Sequence, residues 1–568
     1  MALSATGGRS RNLILAAMIF AVSMTFIDQT IVSIAVPQIQ RELGLSSTGV
    51  QWAVNAYLLS LAALFAFGGR LADTVGHRPM VTLGVIVFAA ASAMCGLTPK
   101  GSLAEAWIVT FRVIQGAGGA IMFPAALAIV VQTFPLRQRG KALALFFSIA
   151  GGLTAIGPLL GGFLTQWTWR AIFWVNIPVA VIALVLIYIS RPATEYRPAR
   201  IDYRGLVLIA SGVALSVFGF QQSGIWGWSN PGTGLCIAAG AVLLVVFYLV
   251  EKRTPAPLMQ VRIFRIRAFR VENLVLGVAT MVFIPVFFFA SEYAQISLGK
   301  TASQAGLFLL YFFIGFVIAA QVGGRMLDRR GAKLPVTLGC ALAAVGFYLW
   351  AGKVTGLSFS NQQWYIILAG AGMGFMLGPA STDAVNRASR LTYGEATGIT
   401  QTVRNYAASL GLAILGTILV TEMRSRLTTS LVARGLPLAR AQAEAAVLAQ
   451  SRGSSGGSGS TTSGGGGLGA IPQFYRVDFA YATRTVFYVM AGIMAVATIV
   501  ALAGLRRGLQ EEPAGASYEA GVPGEAGVPG EARQDAVTEG AGAGTGAAGA
   551  ASEAAGTTGT VAPEARDA

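Results

Sequence analysis

Apolar segments of membrane length recur along this chain and limit its fold more than any other feature. A bilayer core needs about 20 apolar residues per helix, and by that test the chain has about fourteen spans. Only 12% of the residues are charged and 54% are hydrophobic. Because backbone polar groups must be paired within lipid, these segments predict an all-α integral membrane protein. The predicted spans are 13–36, 50–69, 80–97, 105–133, 142–164, 170–190, 203–222, 232–251, 271–293, 304–325, 334–352, 363–385, 397–421 and 483–505.

The basic residues between these spans predict the orientation in the membrane. With a cytoplasmic N-terminus, most Lys and Arg residues fall in the inner loops, as the positive-inside rule requires. An even number of spans then places both termini in the cytoplasm of a cell-membrane protein. The basic residues that carry this prediction are Arg137, Arg139, Lys141, Arg191, Arg197, Arg200, Arg204, Lys252, Arg253, Arg262, Arg265, Arg267, Arg325, Arg329, Arg330 and Lys333.

A short charged turn occurs twice. GGRLADTVGHR at 68–78 joins the second and third spans, and the near copy GGRMLDRRGAK at 323–333 joins the tenth and eleventh. Such a duplication indicates two related halves. We therefore predict two six-helix bundles, at 13–190 and 271–505, with an inserted helix pair at 203–251.

The remaining segments lie outside the predicted bundles. Residues 1–12 form a cytoplasmic N-terminus, and 422–482 form an extracellular loop by the parity of the spans. Within this loop we predict a short helix at 437–450, followed by a flexible Gly/Ser-rich stretch at 453–469. The tail at 508–568 is rich in Gly, Ala and Glu and cannot bury a core, so we expect it to be disordered.

Composition also excludes several function classes. The net charge of +16 is compatible with nucleic-acid binding, but the basic residues lie in short turns and form no stripe. One histidine and three cysteines in separate apolar segments do not make a typical metal site. Without a nucleophile motif or a phosphate-binding loop, we predict neither an enzyme nor a cofactor.

Asp28 is the sharpest functional candidate. It lies inside the first span, in FIDQTIVSIAVP at 26–37, where a carboxylate is costly and by default indicates function. Burial disfavours the charged form, which predicts a reversible proton site. At about 1.5 Å per residue, Asp28 lies about 13 Å and Arg112 about 10 Å from the outer end of their spans. The two can pair at one level, as a proton-coupling pair or as a fixed structural ion pair.

Other side chains are candidates for a substrate cavity or for gating. The charged turns either hold one conformation closed until a charge changes, or merely keep a loop in the cytoplasm. Glu292 is either a cavity residue or an interfacial one. The predicted cavity residues are Asn55, Tyr57, Gln115, Glu292, Tyr311 and Arg404, and the predicted gating residues are Gly69, Asp73, Gly76, Arg78, Asp328 and Arg329. A third group, predicted to allow close packing or bending of the fifth span, is Gly157, Pro158, Gly161 and Gly162.

Several motifs together resemble one known family. The turn GRLADTVGHR resembles the cytoplasmic loop motif of the major facilitator superfamily. Other segments resemble motifs of its fourteen-helix drug:proton antiporter family, and the similarity covers most of residues 10–505. These segments are IDQTIVSIAVP, RVIQGAGGA, IGPLLGG, WRAIFWVNIP and GITQTVRNYAASLG.

The resemblance implies alternating access by two six-helix bundles, with proton influx exchanged for substrate efflux. It assigns Asp28 to the motif acid, Arg112 to the fourth-helix arginine, and Asp73 and Arg78 to the gating loop. Spans ten and thirteen lack the membrane carboxylates that some relatives use for cationic drugs, which disfavours dication export. A neutral, weakly charged or anionic hydrophobic substrate fits at least as well.

The sequence thus predicts a proton-coupled exporter of small amphipathic or hydrophobic compounds, active in drug or antibiotic efflux. Its predicted partners are a small-molecule substrate, protons and the lipid bilayer, with no nucleic acid, and we expect a monomer. The alternatives are a dedicated exporter of a single metabolite, lipid or siderophore, a membrane-embedded enzyme, and a sensor that transports nothing.

Overall fold

A computed structural model of the chain describes residues 8–134, 136–192, 201–386, 393–451 and 471–505. The described residues form sixteen α-helices and one short 3-10 helix at Val261–Arg265. The α-helices are α1 (Gly8–Leu43), α2 (Ser47–Val75), α3 (His77–Gly96), α4 (Ala104–Thr133), α5 (Leu136–Thr165), α6 (Ala171–Trp174), α7 (Asn176–Ser190), α8 (Tyr203–Trp226), α9 (Pro231–Arg253), α10 (Arg267–Ile296), α11 (Ala302–Arg330), α12 (Lys333–Val354), α13 (Gln363–Asn386), α14 (Tyr393–Val432), α15 (Leu438–Ser451) and α16 (Gln473–Gly504).

The predicted membrane spans correspond to these helices. Among the described residues, thirteen helical segments are long and apolar enough to cross a membrane, with α6 and α7 together forming one of them. The fifth predicted span coincides with α5, whose described part contains a shorter apolar stretch, Ile156–Thr165. The all-α, multi-pass fold predicted from hydropathy is therefore confirmed.

Some helices are longer than the predicted spans. The helix α14 continues to Val432, past the predicted end at 421, and α16 starts at Gln473. Hydropathy marks where a helix leaves lipid, whereas the helix itself continues while its backbone hydrogen bonds are made. The helix α15 lies where a short helix was predicted, and it packs on α14 and α2. The Gly/Ser-rich stretch 453–469 and the tail 508–568 lie outside the described residues.

The helices on either side of the pair α8–α9 pack in matching patterns. Helix α4 packs against α2 and α3, and α13 packs against α11 and α12 in the same way. Contacts between the two sets run from α1 to α10, from α2 to α14 and from α5 to α11. Helix α8 packs against α2 and α14 as well as against α9. We call α1–α7 the N-half, and α10–α14 with α16 the C-half.

Close glycine contacts repeat between the halves. A Cβ atom added to Gly84 of α3 would lie 2.6 Å from the Cβ of Met122 on α4. A Cβ on Gly339 of α12 would lie 2.7 Å from the Cβ of Met376 on α13. Only glycine permits this approach of the helix axes in each half. The duplication seen in the sequence is therefore also a duplication of packing.

Glycines with positive φ end matching helices at both ends of the bundle. Gly76 and Gly331 follow α2 and α11 with φ of 108° and 76°. Gly44 and Gly299 follow α1 and α10 with φ of 68° and 66°. Side chains with a Cβ rarely adopt this conformation, so these turns need glycine. We call the end with Gly76 and Gly331 the charged-turn end, and the other the opposite end.

Candidate functional site

Asp28 forms a closed network with two other side chains. Asp28 on α1, Arg112 on α4 and Gln115 on α4 are all fully buried. Arg112 Nη1 donates to Asp28 Oδ2 and, at 2.8 Å, to Gln115 Oε1. Gln115 Nε2 donates to Asp28 Oδ1 at 2.9 Å. Residues three apart on a helix share a face, so α4 presents both side chains to the carboxylate.

Arg112 is also held from α2. Its Nε donates to the carbonyl oxygen of Ala53 at 2.8 Å, and its guanidinium carbon lies 4.4 Å from the centre of the Tyr57 ring. The Tyr57 hydroxyl donates to the carbonyl oxygen of Thr25 on α1 at 3.2 Å. A cation over an aromatic face in a dry site gains about 2 kcal/mol. Three helices of the N-half therefore set the position of this arginine.

Arg112 has partners in this network besides Asp28. Removing one partner from a buried ion pair costs about 3–5 kcal/mol, because the other charge stays uncompensated. Here Arg112 keeps the Ala53 carbonyl, the Gln115 amide oxygen and the Tyr57 ring when Asp28 becomes neutral. Arg112 is therefore partly satisfied even without the charge of Asp28. The carboxylate itself is enclosed by protein.

A pocket lies between the two halves, beside this network. Gln29, which directly follows Asp28, is part of its wall. The space between its side chains is about 420 Å³ including its open side, and its enclosed part has room for about one or two water molecules. The helices α1, α2, α4, α10 and α14 provide its lining. The lining residues are Thr25, Phe26, Gln29, Leu61, Phe65, Phe123, Thr280, Ile284, Gln401, Arg404 and Asn405.

Of the six predicted cavity residues, Arg404 lies in this pocket. Its Nε atom is buried and has no hydrogen-bond partner among the described residues. The next residue, Asn405, accepts a long hydrogen bond of 3.5 Å from Gln29 of α1. This contact links the C-half to the residue beside Asp28. Gln29 and Asn405 were missed by the sequence analysis, although a polar residue adjoining a membrane carboxylate was a usable signal.

The structure places the other predicted cavity residues elsewhere. Gln115 and Tyr57 belong to the Asp28 network. Asn55 donates to Gln221 of α8 at 2.8 Å and accepts from Ser409 of α14, in a buried seam between the halves. The remaining two are Glu292, which is fully buried in α10, and Tyr311, which lines a separate pocket with Lys300, Gln304 and Phe359.

Two of the predicted packing residues of α5 hold this helix against α1. A Cβ on Gly157 would collide with Oγ1 of Thr30, and a Cβ on Gly161 would lie 2.8 Å from the carbonyl oxygen of Ile31. These neighbours, Thr30 and Ile31, lie two and three residues after Asp28 on α1. These glycines therefore fix how closely α5 approaches the helix that carries the acid.

The other two packing residues face the C-half. A Cβ on Gly162 would lie 2.8 Å from the carbonyl oxygen of Ala302, at the start of α11. A Cβ on Gly306 of α11 would lie 2.5 Å from the carbonyl oxygen of Pro158. The two halves therefore meet through backbone contact at this point, near the opposite end.

The predicted gating residues lie in the segments 68–78 and 323–333, called the first and second charged turn. Both segments are mostly helical, because α2 continues to Val75 and α11 to Arg330. In the first turn, Asp73 Oδ1 lies 3.9 Å from Nε2 of His77, and Arg78 is half-buried. Gly69 has space, because an added Cβ would make an ordinary contact of 3.6 Å with Pro124. In the second turn, Asp328 and Arg329 are exposed.

A contact missed by the sequence analysis ties the first turn to the linker between α9 and α10. Arg70 Nη2 donates to the carbonyl oxygen of Pro257 at 3.0 Å. The buried Glu251 at the end of α9 accepts from the backbone amide of Met259 at 3.1 Å and holds the same linker. The arginine of the turn motif was a visible signal for such a role, but the linker gave none.

The sequence and the fold match known proteins. The profile of the Major Facilitator Superfamily matches residues 18–412. The chain belongs to the major facilitator superfamily. Proteins with similar sequences include several that are named for export or for drug resistance. Over 416 residues the chain is 33% identical to the tetracenomycin C resistance and export protein of Streptomyces glaucescens, covering 72% of this chain and 76% of the relative.

A second relative supports this assignment, and a solved structure shares the fold. The multidrug resistance protein Stp of Mycobacterium tuberculosis is 30% identical over 434 residues, covering 74% of this chain and 78% of Stp. The crystal structure of tetrameric PepTSo2 matches with a TM-score of 0.57 at 14% identity, covering 88% of this chain and 98% of that one. At that identity the structural likeness concerns the fold alone.

Proposed function

We propose that this protein is a proton-coupled exporter of small amphipathic or hydrophobic compounds that works by alternating access. The observation that carries the proposal is Asp28, buried between Arg112 and Gln115 and one residue from the pocket between the halves. Relatives named for antibiotic export and multidrug resistance support it. The charged-turn end and both termini lie in the cytoplasm in this proposal.

The pocket between the halves is the proposed substrate site. It is too narrow for a drug-sized molecule in the described conformation, since its enclosed part has room for only about one or two water molecules. The halves meet at the opposite end, where Gln295 Nε2 of α10 donates to the carbonyl oxygen of Ile34 on α1 at 2.9 Å. Rotation of one half against the other opens the pocket first to the cytoplasm and then to the outside. Because one chain supplies the whole site, a monomer suffices.

The proton cycle runs through Asp28. In the outward state Asp28 takes a proton from outside, and substrate leaves. In the inward state it releases the proton to the cytoplasm, and substrate binds. One proton crossing supplies about 2.3 kcal/mol per 100 mV, enough for roughly fifty-fold accumulation. The Gln29–Asn405 contact, next to the acid, offers a route by which this change reaches the C-half.

The charged turns are the proposed gates of the cytoplasmic end. The first turn is anchored to the α9–α10 linker through Arg70, so its release requires that contact to break. Asp73 and Arg78 place further charges at the same turn, and Asp328 and Arg329 supply the charges of the second. Gating here means that these contacts form in one state and are absent in the other.

The test uses purified protein in liposomes with an imposed pH gradient. We expect Asp28→Asn to abolish proton-driven efflux, while exchange of labelled for unlabelled substrate without a gradient continues. The matched control is Glu422→Gln, which removes a surface carboxylate paired with Arg426 at 3.0 Å and leaves efflux unchanged. Full proton-driven efflux by Asp28→Asn would refute the coupling role.

A dedicated exporter of one metabolite is the second candidate. It is favoured by the relative from Streptomyces glaucescens, whose name refers to the single compound tetracenomycin C. A panel of chemically unrelated compounds separates the two. A multidrug exporter moves several of them in the liposome assay, whereas a dedicated one moves a single chemical type.

A further inference from the structure

We propose that the compounds exported by this protein carry an acidic group, which Arg404 binds while their aromatic body packs against the N-half. This inference rests on the proposed function, because it names the substrate class of the same pocket. It concerns what is recognised, whereas the role of Asp28 concerns how transport is driven.

Arg404 is the first observation. Among the described residues that line the pocket it is the one charged side chain, and its buried Nε lacks a hydrogen-bond partner. A buried guanidinium nitrogen without a hydrogen-bond partner is costly. A carboxylate or enolate offers two oxygen atoms that match the planar fork of an arginine. An acidic substrate therefore supplies what the pocket lacks.

The carboxylate of Asp28, beside the pocket, already has hydrogen-bond partners. Both oxygens of Asp28 accept hydrogen bonds from Arg112 and Gln115, and no acidic side chain is among the described residues lining the pocket. A cationic compound would thus find an arginine and no counter-ion. The electrostatics of the pocket favour an anion over a neutral compound, and a neutral compound over a cation.

The walls of the pocket are divided between the halves. Phe65 and Phe123 of the N-half lie 5.2 Å apart between ring centres, and Phe26 lies 5.7 Å from Phe123. On α14, Gln401 and Asn405 lie one turn apart and, with Arg404, form a polar wall. An aromatic body fits the first wall and an acidic head the second. Such a ligand touches both halves at once, as a transported substrate must.

The charge of the substrate changes the driving force. Influx of one proton in exchange for one monoanion moves two elementary charges, whereas exchange for a neutral compound moves one. Export of an acid therefore depends more steeply on membrane potential than export of its neutral analogue. This difference can be measured in the same liposomes.

The binding experiment uses the full chain in lipid nanodiscs without any gradient. The probes are naphthylacetate, naphthylacetamide and naphthylethylammonium, which share one ring system and differ in charge. Titration calorimetry gives the dissociation constants. We expect the wild type to bind the acid most tightly and the ammonium compound most weakly. Arg404→Gln should weaken binding of the acid about ten- to hundred-fold and of the amide less than about threefold.

Two further variants control for charge and for folding. Arg404→Lys keeps the charge without the fork, so its affinity for the acid should be intermediate. Arg434→Gln removes an arginine that stacks 3.7 Å over Phe474, outside the pocket, and should bind all probes like the wild type. Retained binding of the amide shows that Arg404→Gln is folded.

The inference is overturned if the wild type fails to bind the acid, binds acid and amide equally, or if Arg404→Gln weakens both to the same extent. The two proposals fail separately. If the wild type prefers the acid in binding but shows no proton-driven efflux, only the proposed exporter mechanism is refuted. If the wild type exports the amide with the proton gradient but binds the acid no more tightly, only this inference is refuted. Asp28→Asn should keep the preference for the acid.

Discussion

The two halves of this protein share their packing and differ in their chemistry. Gly116 of α4 approaches the carbonyl oxygen of Tyr57 on α2, and Gly370 of α13 approaches that of Phe312 on α11 in the same way. Tyr57 packs under the guanidinium of Arg112. Phe312 stands in the corresponding place of the C-half, among aromatic rings. The close helix contacts were kept in both halves while the polar side chains were not.

The same correspondence shows which residues of the C-half are equivalent to Asp28, Arg112 and Gln115. Arg112 and Gln115 lie four residues and one residue before Gly116. The residues at the same distances before Gly370 are Ile366 and Ala369, and both are fully buried. The position that matches Asp28 is Phe283, as counted from the turn glycines at the opposite end; its ring lies 5.3 Å from Phe287 and 5.4 Å from Phe316. The N-half thus holds the buried ion pair, and the corresponding positions of the C-half are aromatic or aliphatic. One repeat handles the proton, in our proposal, while the other contributes Arg404.

The largest expected effect on stability comes from replacing Arg112, which belongs to the ion pair found in the N-half alone among the matched positions. Arg112→Leu leaves Asp28 buried without its counter-charge and should lower the free energy of unfolding by about 3–5 kcal/mol. The matched change in the C-half, Ile366→Leu, conserves volume and should cost less than about 1.5 kcal/mol. Chemical unfolding in detergent micelles measures both.

A double variant sharpens the same comparison. Asp28→Asn combined with Arg112→Leu removes both charges and should regain part of the stability lost in Arg112→Leu, with no return of proton-driven efflux. Equal destabilisation by Arg112→Leu and Ile366→Leu would show that the ion pair adds nothing beyond packing.

A smaller effect tests the shared packing. Gly116→Ala and Gly370→Ala each push a methyl group into a carbonyl oxygen of the neighbouring helix, and each should destabilise by about 1–3 kcal/mol. Gly492→Ala in α16 is the control, since nothing lies within 4 Å of an added Cβ there. It should be neutral or slightly stabilising. Thermal unfolding separates the three, and strongly unequal values for the first two would contradict equivalent packing.

The smallest effect concerns the two charged turns. Arg70 in the first turn donates to Pro257, whereas its counterpart Arg325 in the second is exposed. One hydrogen bond contributes about 0.5–1.5 kcal/mol, so Arg70→Gln should change the efflux rate about two- to tenfold. Arg325→Gln should leave it nearly unchanged. Equal effects of both substitutions in liposomes would mean that the anchor to the linker has no part in gating.

Much of the architecture was predictable because hydropathy is a property of a local segment facing a bilayer. The spans, the duplicated turn and the common level of Asp28 and Arg112 follow from residue type and from a rise of 1.5 Å per residue. The pair forms in the structure as that level suggested. The choice of Arg404 as a pocket residue also came from an unusual charge inside an apolar span.

Side-chain partners were less predictable, because they depend on how each helix is rotated about its axis. Asn55 and Gln115 are both polar and both buried, yet one joins the halves through α8 and α14 while the other holds Asp28. Tyr311 faces a different pocket from Arg404. Rotation and distance are set by glycine contacts between helices far apart in the chain, such as Gly157 against Thr30. Residue types show which polar groups are costly to bury. The packing of the helices decides which hydrogen-bond partner each buried group has.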